Sequence, residues 1–217
     1  MTSVAGPSFH PDAILADYVR SAFVQQVTSL GDLAVKRLLA TFANIADEAN
    51  AVADETFRRL GAQPGEGDMG DVAEEAQDAG IDHYHTLSML EQAVKNLLAA
   101  GLYHVFEQQQ KVFEELTRRR LGGIIDLSAF PSWGKVDELR LVTNTVKHAE
   151  GSSARQLRAR RPELFVSPLL AETGIRPRPE PVKQPLAGED LYVREEDLED
   201  YSAALVSLWE EVATAVS

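Results

Sequence analysis

The fold is decided by residues 87–116, LSMLEQAVKNLLAAGLYHVFEQQQKVFEEL. Apolar residues recur there every three or four positions, which places them on one face of an α-helix. The alternating pattern of a β-strand is almost absent, both here and in the rest of the chain. We therefore predict an all-α fold, an antiparallel multi-helix bundle, with a long central helix over residues 82–120.

The same helical spacing extends to the N-terminal side. It predicts two helices within residues 1–62, the first beginning at Pro11 and interrupted at Gly31, and the second ending at Gly61. Four glycines and prolines within residues 63–70 predict a loop before the central helix.

On the C-terminal side, residues 132–162 are predicted to hold a motif helix and a short basic helix. The motif helix runs from about residue 132 to 150 with Gly151 as its cap. The basic helix begins with a capping-box pattern at Ser153 and Gln156 and stops near Pro162.

The end of the chain combines a proline-rich stretch with a last helix. Five prolines, at 168, 177, 179, 181 and 185, predict an extended arm without regular structure over residues 168–190. Helical spacing returns over residues 195–216. We treat residues 1–217 as a single helical domain, because 217 residues with 44% hydrophobic content are enough for one core.

Composition limits the classes of function. No secretion signal and no apolar run of roughly 20 residues is present, which predicts a cytoplasmic protein without a membrane partner. The chain has no cysteine, which excludes thiolate chemistry and thiolate metal sites. Its net charge is −13, yet residues 118–161 carry ten Lys or Arg against four Asp or Glu. A local basic surface of this kind suits phosphate, although a solvated charged face gives the same pattern.

The motif helix has two distinct faces. Arg140, Asn144, Lys147 and His148 fall within an arc of about 100°, opposite an apolar face. An imidazole, a guanidinium, an ammonium and an amide can together move a proton and hold phosphate oxygens without a metal. Lys and His before a glycine are also an ordinary helix end, because cations stabilise the negative end of the helix dipole. Both interpretations remain open from the sequence.

The segment 138–151, ELRLVTNTVKHAEG, resembles bacterial helical proteins that carry an Asn-x-x-Lys-His motif near a helix end. This layout is similar to the HEPN superfamily, in which an Arg, often followed at once by a polar residue, precedes a His by four to six residues. The chain looks like a degenerate member, because Thr143 stands where the family has arginine. His148 matches the family's histidine and Asn144 its polar residue.

The resemblance implies a homodimer in which two copies of the motif face each other across a cleft. It also implies binding of RNA or a nucleotide, or metal-independent endoribonuclease activity of the toxin–antitoxin or phage-defence kind, with no cofactor. The candidate catalytic residues are His148, Asn144, Arg140 and Lys147. Candidate RNA-phosphate contacts are Arg155 and Arg158 on the following helix.

Other polar groups allow further interpretations. His104 and Glu107 lie one turn apart on the central helix and would line the same cleft if that helix packs beside the motif helix; a buried polar pair is the alternative. His83 and His85 could bind a metal, but their place before Leu87 favours an exposed helix N-terminus, and we predict no metal site. Acidic residues before position 82 fit only half of a paired magnesium-binding motif and suit solvated helix faces.

A competing function from a different class is a non-catalytic helical interaction or scaffold protein. In that case the polar stripe is a helix cap, and the proline-rich arm docks a partner protein. The net charge of −13 and Thr143 at the arginine position favour it.

Overall fold

The described structure, a computed structural model, covers residues 11–61, 69–172 and 180–217. Every regular element in those ranges is helical, and none is a strand, so the all-α prediction is confirmed. None of the helices in these ranges is both long enough and apolar enough to cross a membrane. The loop predicted over 63–70 lies outside the described residues, apart from positions 69 and 70, which already belong to a helix.

Residues 11–39 form one continuous helical rod. It comprises α1 (Pro11–Tyr18), α2 (Gln25–Ser29) and α3 (Lys36–Leu39), which are joined by π-helical turns at Val19–Val24 and Leu30–Val35. The predicted interruption at Gly31 is wrong, because the chain accommodates this glycine in a widened turn instead of breaking. A Cβ atom there would lie 2.2 Å from Ser202 Oγ, so the glycine permits a close helix crossing.

Helix α4 (Ile45–Gly61) and helix α5 (Met69–Thr117) form a hairpin. The predicted end of α4 at Gly61 stays a prediction, because residues 62–68 lie outside the described residues, but α5 already includes residues 69–81. His83 and His85 therefore lie inside a helix, and their predicted place at a helix N-terminus is wrong. The added segment packs tightly on α4, where a Cβ atom on Gly80 would lie 3.0 Å from Ala53 Cβ.

The main core forms around Trp209 of α10 (Glu195–Ala215). Its ring centroid lies 4.7 Å from that of Phe23, 5.6 Å from that of Phe106 and 6.2 Å from that of Phe113. The indole N–H is also buried and donates to Gln109 Oε1 at 2.6 Å. This arrangement joins the N-terminal rod, α5 and the last helix around one aromatic side chain.

Three shorter helices and α7 complete the bundle: α6 (Leu121–Ile124), α7 (Trp133–His148), α8 (Ser152–Arg160) and α9 (Pro168–Glu172). The prediction that residues 168–190 exclude regular structure is wrong, because Pro168 begins α9 and Pro185 begins a short 3-10 helix. Proline suits the first turn of a helix, where its missing N–H needs no partner. The prolines at 177 and 179 lie outside the described residues.

The segment from residue 180 to 194 is packed against α5 and not extended into solvent. Two buried amides hold it. Asn96 Nδ2 donates to the carbonyls of Pro185 at 2.7 Å and Leu191 at 2.9 Å, and Gln92 Nε2 donates to the carbonyl of Val193 at 2.9 Å. A chain without strand partners needs such bonds, because buried backbone carbonyls otherwise lose their hydrogen bonds to water.

We predict that Asn96→Ala lowers the free energy of unfolding by about 2 to 4 kcal/mol, because it leaves two buried carbonyls without a donor. Urea denaturation followed by circular dichroism measures this change. The matched control is Asn50→Ala on the exposed face of α4, which should shift stability by less than about 0.5 kcal/mol. Equal effects from the two substitutions would show that the amide bonds to the arm contribute nothing specific.

Candidate functional site

The motif helix is α7, and its two faces are as different in the structure as in the sequence. Leu139, Val142 and Val146 are buried in the core. Lys147 and His148 are exposed. Helix α7 packs on α5, α8 and α10, so only one face is left for solvent.

The structure places Lys147 beside the two polar residues predicted on the central helix. Lys147 Nζ lies 3.9 Å from Glu107 Oε2, and the same carboxylate oxygen lies 3.6 Å from His104 Nδ1. Burial, and then the charge of Glu107, raises the pKa of the neighbouring Tyr103. We call this group, together with Arg140, the α5/α7 seam.

Arg140 is engaged by a carboxylate on its own helix and does not reach toward His148. Its Nε and Nη2 atoms donate to Asp137 Oδ1 at 2.9 Å and 2.7 Å. Arg160 donates to the other oxygen of Asp137 at 2.7 Å. Burial alone would raise the pKa of Asp137, but the hydrogen bonds from both guanidinium groups outweigh it and lower that pKa. The bound head of Arg140 therefore points toward the start of α7.

Asn144 and His148 are the unengaged residues of the predicted set. Neither side chain makes a hydrogen bond or an ion pair with the described part of the chain, and His148 is the last residue of α7. An exposed imidazole without an acidic or basic partner keeps the freedom to bind a ligand. It lacks the positioned neighbour that general acid–base catalysis needs within one chain.

Thr143 is fully buried, and its hydroxyl has no hydrogen-bond partner among the described residues. In the register that aligns His148 with the HEPN histidine, this is the position of the family's arginine. A guanidinium there would face the core, so this register cannot bring an arginine to the exposed face of α7.

The end of α7 differs from the predicted glycine cap. The helix stops at His148, and Ala149 adopts a positive φ of 55°. Gly151 instead has an extended backbone and caps the start of α8, so the predicted N-terminal capping box at Ser153 is also wrong. Ala149 is thus held in a conformation that favours glycine.

Hydrogen bonds made by the next residue, Glu150, stabilise the turn at Ala149. The N–H of Glu150 donates to the carbonyl of Val182 at 3.0 Å, and its side chain accepts from the N–H of Val182 at 3.1 Å and from Arg158 at 2.9 Å. The hydrogen bond from Arg158, and then that from Val182, lowers the pKa of Glu150. Arg158 also donates to the carbonyl of Glu180 at 3.1 Å.

Of the two predicted phosphate contacts, Arg158 therefore makes contacts within the chain that stabilise the fold. It lies 4.6 Å from the ring centroid of Phe165 in addition to its bonds to residues 150 and 180. Arg155 is exposed and makes no ion pair with the described residues.

A buried charged cluster went unnoticed in the sequence. Arg161 binds three carboxylates, those of Glu138, Glu163 and Asp197. Tyr201 donates to Glu138 at 2.9 Å, and the pKa of this buried phenol is raised, first by its burial and then by the charge of Glu138. The sequence contains a weak signal for this cluster, since Glu138 lies on the apolar side of α7 beside Leu139 and Val142.

Ion pairs neutralise most of the positive charge in residues 118–161. Of the ten Lys and Arg residues between positions 118 and 161, six form ion pairs within the described chain, namely Lys135, Arg140, Lys147, Arg158, Arg160 and Arg161. The basic surface predicted from composition is therefore largely neutralised. Within the described residues, no three His, Asp or Glu side chains lie close enough together to hold a metal ion.

The described structure is that of an all-α protein whose motif helix, α7, has one buried apolar face and one exposed polar face. No protein-family model, no curated protein and no solved structure matches the chain. A fold class alone does not assign function, so function has to be inferred from the contacts of the described residues.

We predict that Ala149→Gly raises the free energy of unfolding by about 0.5 to 1 kcal/mol, because glycine adopts a positive φ without the steric cost of a Cβ atom. Thermal and urea denaturation measure the change. The control is Ala51→Gly, an exposed position inside α4, which should lower stability by about 1 kcal/mol. A loss of stability in both variants would contradict the strained turn at Ala149.

Proposed function

We propose that this protein is a non-catalytic helical interaction protein and that its docking element is the α4/α5 hairpin, comprising Ile45–Gly61 and residues 69–84. The main support for this proposal is the position of the hairpin. Helix α4 packs extensively only against α5 among the described elements. The buried core around Trp209 contains no residue between Leu39 and Ala99. The hairpin is thus a two-helix projection from the bundle.

A projection of two helices leaves apolar side chains in solvent. Phe57 is 39% exposed, Met69 57% and Ile81 43%. Single exposed apolar residues are common on any protein, but several on one supersecondary element are typical of an interaction surface. This arrangement favours a docking role for the hairpin over a purely structural one.

The cations of α7 and α8 support the same proposal. A phosphate-binding surface needs cations that are free to contact a ligand. Arg140, Arg158 and Lys147 each have a carboxylate partner in the same chain. A ligand phosphate would have to compete with those carboxylates.

A second candidate function is the HEPN-like one, in which a homodimer binds or cleaves RNA. The observation that favours it is that Lys147 of α7 and His104 of α5 are exposed beside the same carboxylate, that of Glu107, while His148, Asn144 and Arg155 are unengaged among the described residues. In the catalytic form, His148 helps to deprotonate a ribose 2′-hydroxyl. Cations supplied by a second copy of the chain stabilise the developing charge on the phosphate.

The docking role is tested by site-specific cross-linking in the protein's native cells. A benzophenone amino acid in place of Ile81 should give one discrete cross-linked species, because a partner covers this side chain. The same amino acid in place of Glu75, which is exposed on the opposite side of α5, is the control and should give none. No cross-linked species from position 81, or identical species from both positions, would reject the proposal.

The RNA hypothesis makes a separate prediction. Purified protein should cleave or bind a fluorescent single-stranded RNA in the presence of EDTA, and His148→Ala should abolish cleavage. His85→Ala, an exposed histidine far along α5, is the matched control and should behave as the parent. Arg155→Ala should weaken binding and reduce its salt dependence by about one unit of slope. Absence of both binding and cleavage in the parent protein would exclude this function.

A further inference from the structure

The hairpin carries a groove on one side. Its cavity measures about 450 Å³ and lies between α4 and α5. Phe57, Ile81 and Tyr84 line it with large apolar or aromatic side chains. These side chains lie beside small residues, so the groove has bulky walls and a low floor.

The floor is formed by residues that let the helix backbones come close together. Ala49 and Ala53 of α4 and Ala76 and Gly80 of α5 line the groove between those walls. The lining positions on α4 run from 46 to 57 and those on α5 from 73 to 84, at intervals of three and four residues. Each set spans about three turns of helix, or roughly 17 Å. A third helix fits such a groove as it would in a three-helix bundle.

Carboxylates lie along both outer edges of the groove. By helical geometry, Asp47 and Asp54 follow the edge on α4, and Glu74 and Asp78 follow the edge on α5. All four are exposed, and none forms an ion pair with the described residues. Over residues 45–61 and 69–84 the hairpin carries nine Asp or Glu against two Arg.

We propose that this groove binds a cationic amphipathic α-helix of a partner protein. The inference rests on the proposed docking role and adds the chemistry of the partner. Apolar residues of the incoming helix contact the floor and the Phe57 and Ile81 walls, and its Lys or Arg residues face the carboxylates at the two edges. A second copy of the chain does not suit the groove, because two such hairpins would bring eighteen carboxylates and only four arginines together.

The probe is a synthetic helical peptide of 18 residues, with leucine at positions spaced three and four apart and lysine on the other face. Fluorescence anisotropy measures its binding to the full-length protein. Two peptide controls are a scrambled sequence of the same composition, which keeps the charge and loses the apolar stripe, and a version with glutamate for lysine. Both controls should bind at least about tenfold more weakly, because each lacks one of the two contacts.

Two matched double variants locate the binding site. D54K/E74K reverses charge at the groove edges and should weaken binding of the lysine peptide by about tenfold or more. E48K/E75K makes the same change of charge on the opposite, exposed side of the same two helices and should change affinity by less than about twofold. Ile81→Glu should also reduce binding about tenfold, because it places a carboxylate in the apolar wall. Circular dichroism verifies that all variants keep the parent's helical content.

Several outcomes would overturn the inference: no binding of the lysine peptide, equal binding of the scrambled peptide, or equal loss in the two double variants. Sedimentation of the parent and of Ile81→Glu adds one more, since a dimer abolished by this substitution would show that a second copy fills the groove. The docking role is judged independently by the cross-link at position 81. If position 81 cross-links but the lysine peptide does not bind, only the proposal of a cationic partner helix is rejected. If position 81 does not cross-link, the docking role itself is rejected.

Discussion

The guanidinium of Arg161, enclosed by the carboxylates of Glu138, Glu163 and Asp197, is the interaction on which the arrangement of the bundle depends. A buried carboxylate without a partner costs several kcal/mol, and Arg161 is the cation that the buried Glu138 and Asp197 share. Burial disfavours the charged form of Arg161 and would lower its pKa, but the hydrogen bonds that Arg161 donates to Glu163 and Asp197 raise that pKa, which keeps the charge fixed. The cluster thereby ties α7, the chain after α8 and α10 to one point.

The same requirement sets the rotation of α7. Because Glu138 has to face Arg161 and the hydroxyl of Tyr201, the positions of Asn144 and Lys147 on the opposite side follow from helical geometry. Asp197 has a second role, since it accepts the N–H of Arg194 at 3.0 Å and so begins α10 where the cluster needs it. The exposed face of the motif helix is thus a consequence of a buried charge on its other side.

Helix periodicity made the fold class and the bounds of α10 predictable, because those features depend on residues three and four positions apart. What escaped prediction depends on distant partners. Asn96 bonds to carbonyls about ninety residues away, and Arg161 pairs with residues 23 and 36 positions distant. The first part of α5 was missed for a different reason. Its acidic, alanine-rich sequence has no bulky apolar stripe, since the close approach at Gly80 calls for small residues.

The surface charge of the folded protein was the property that the sequence predicted least well. A count of ten cations in residues 118–161 describes composition, whereas a phosphate site needs cations left unpaired after folding. Carboxylates from outside that stretch, including Glu107 and Asp197, neutralise several of them. The hairpin shows the opposite case. Its edge carboxylates remain unpaired within the described residues, and their mutual repulsion disfavours association of this apolar two-helix projection with a second copy. Negative charge beside exposed Phe57 and Ile81 therefore serves solubility without a partner and selects a cationic one.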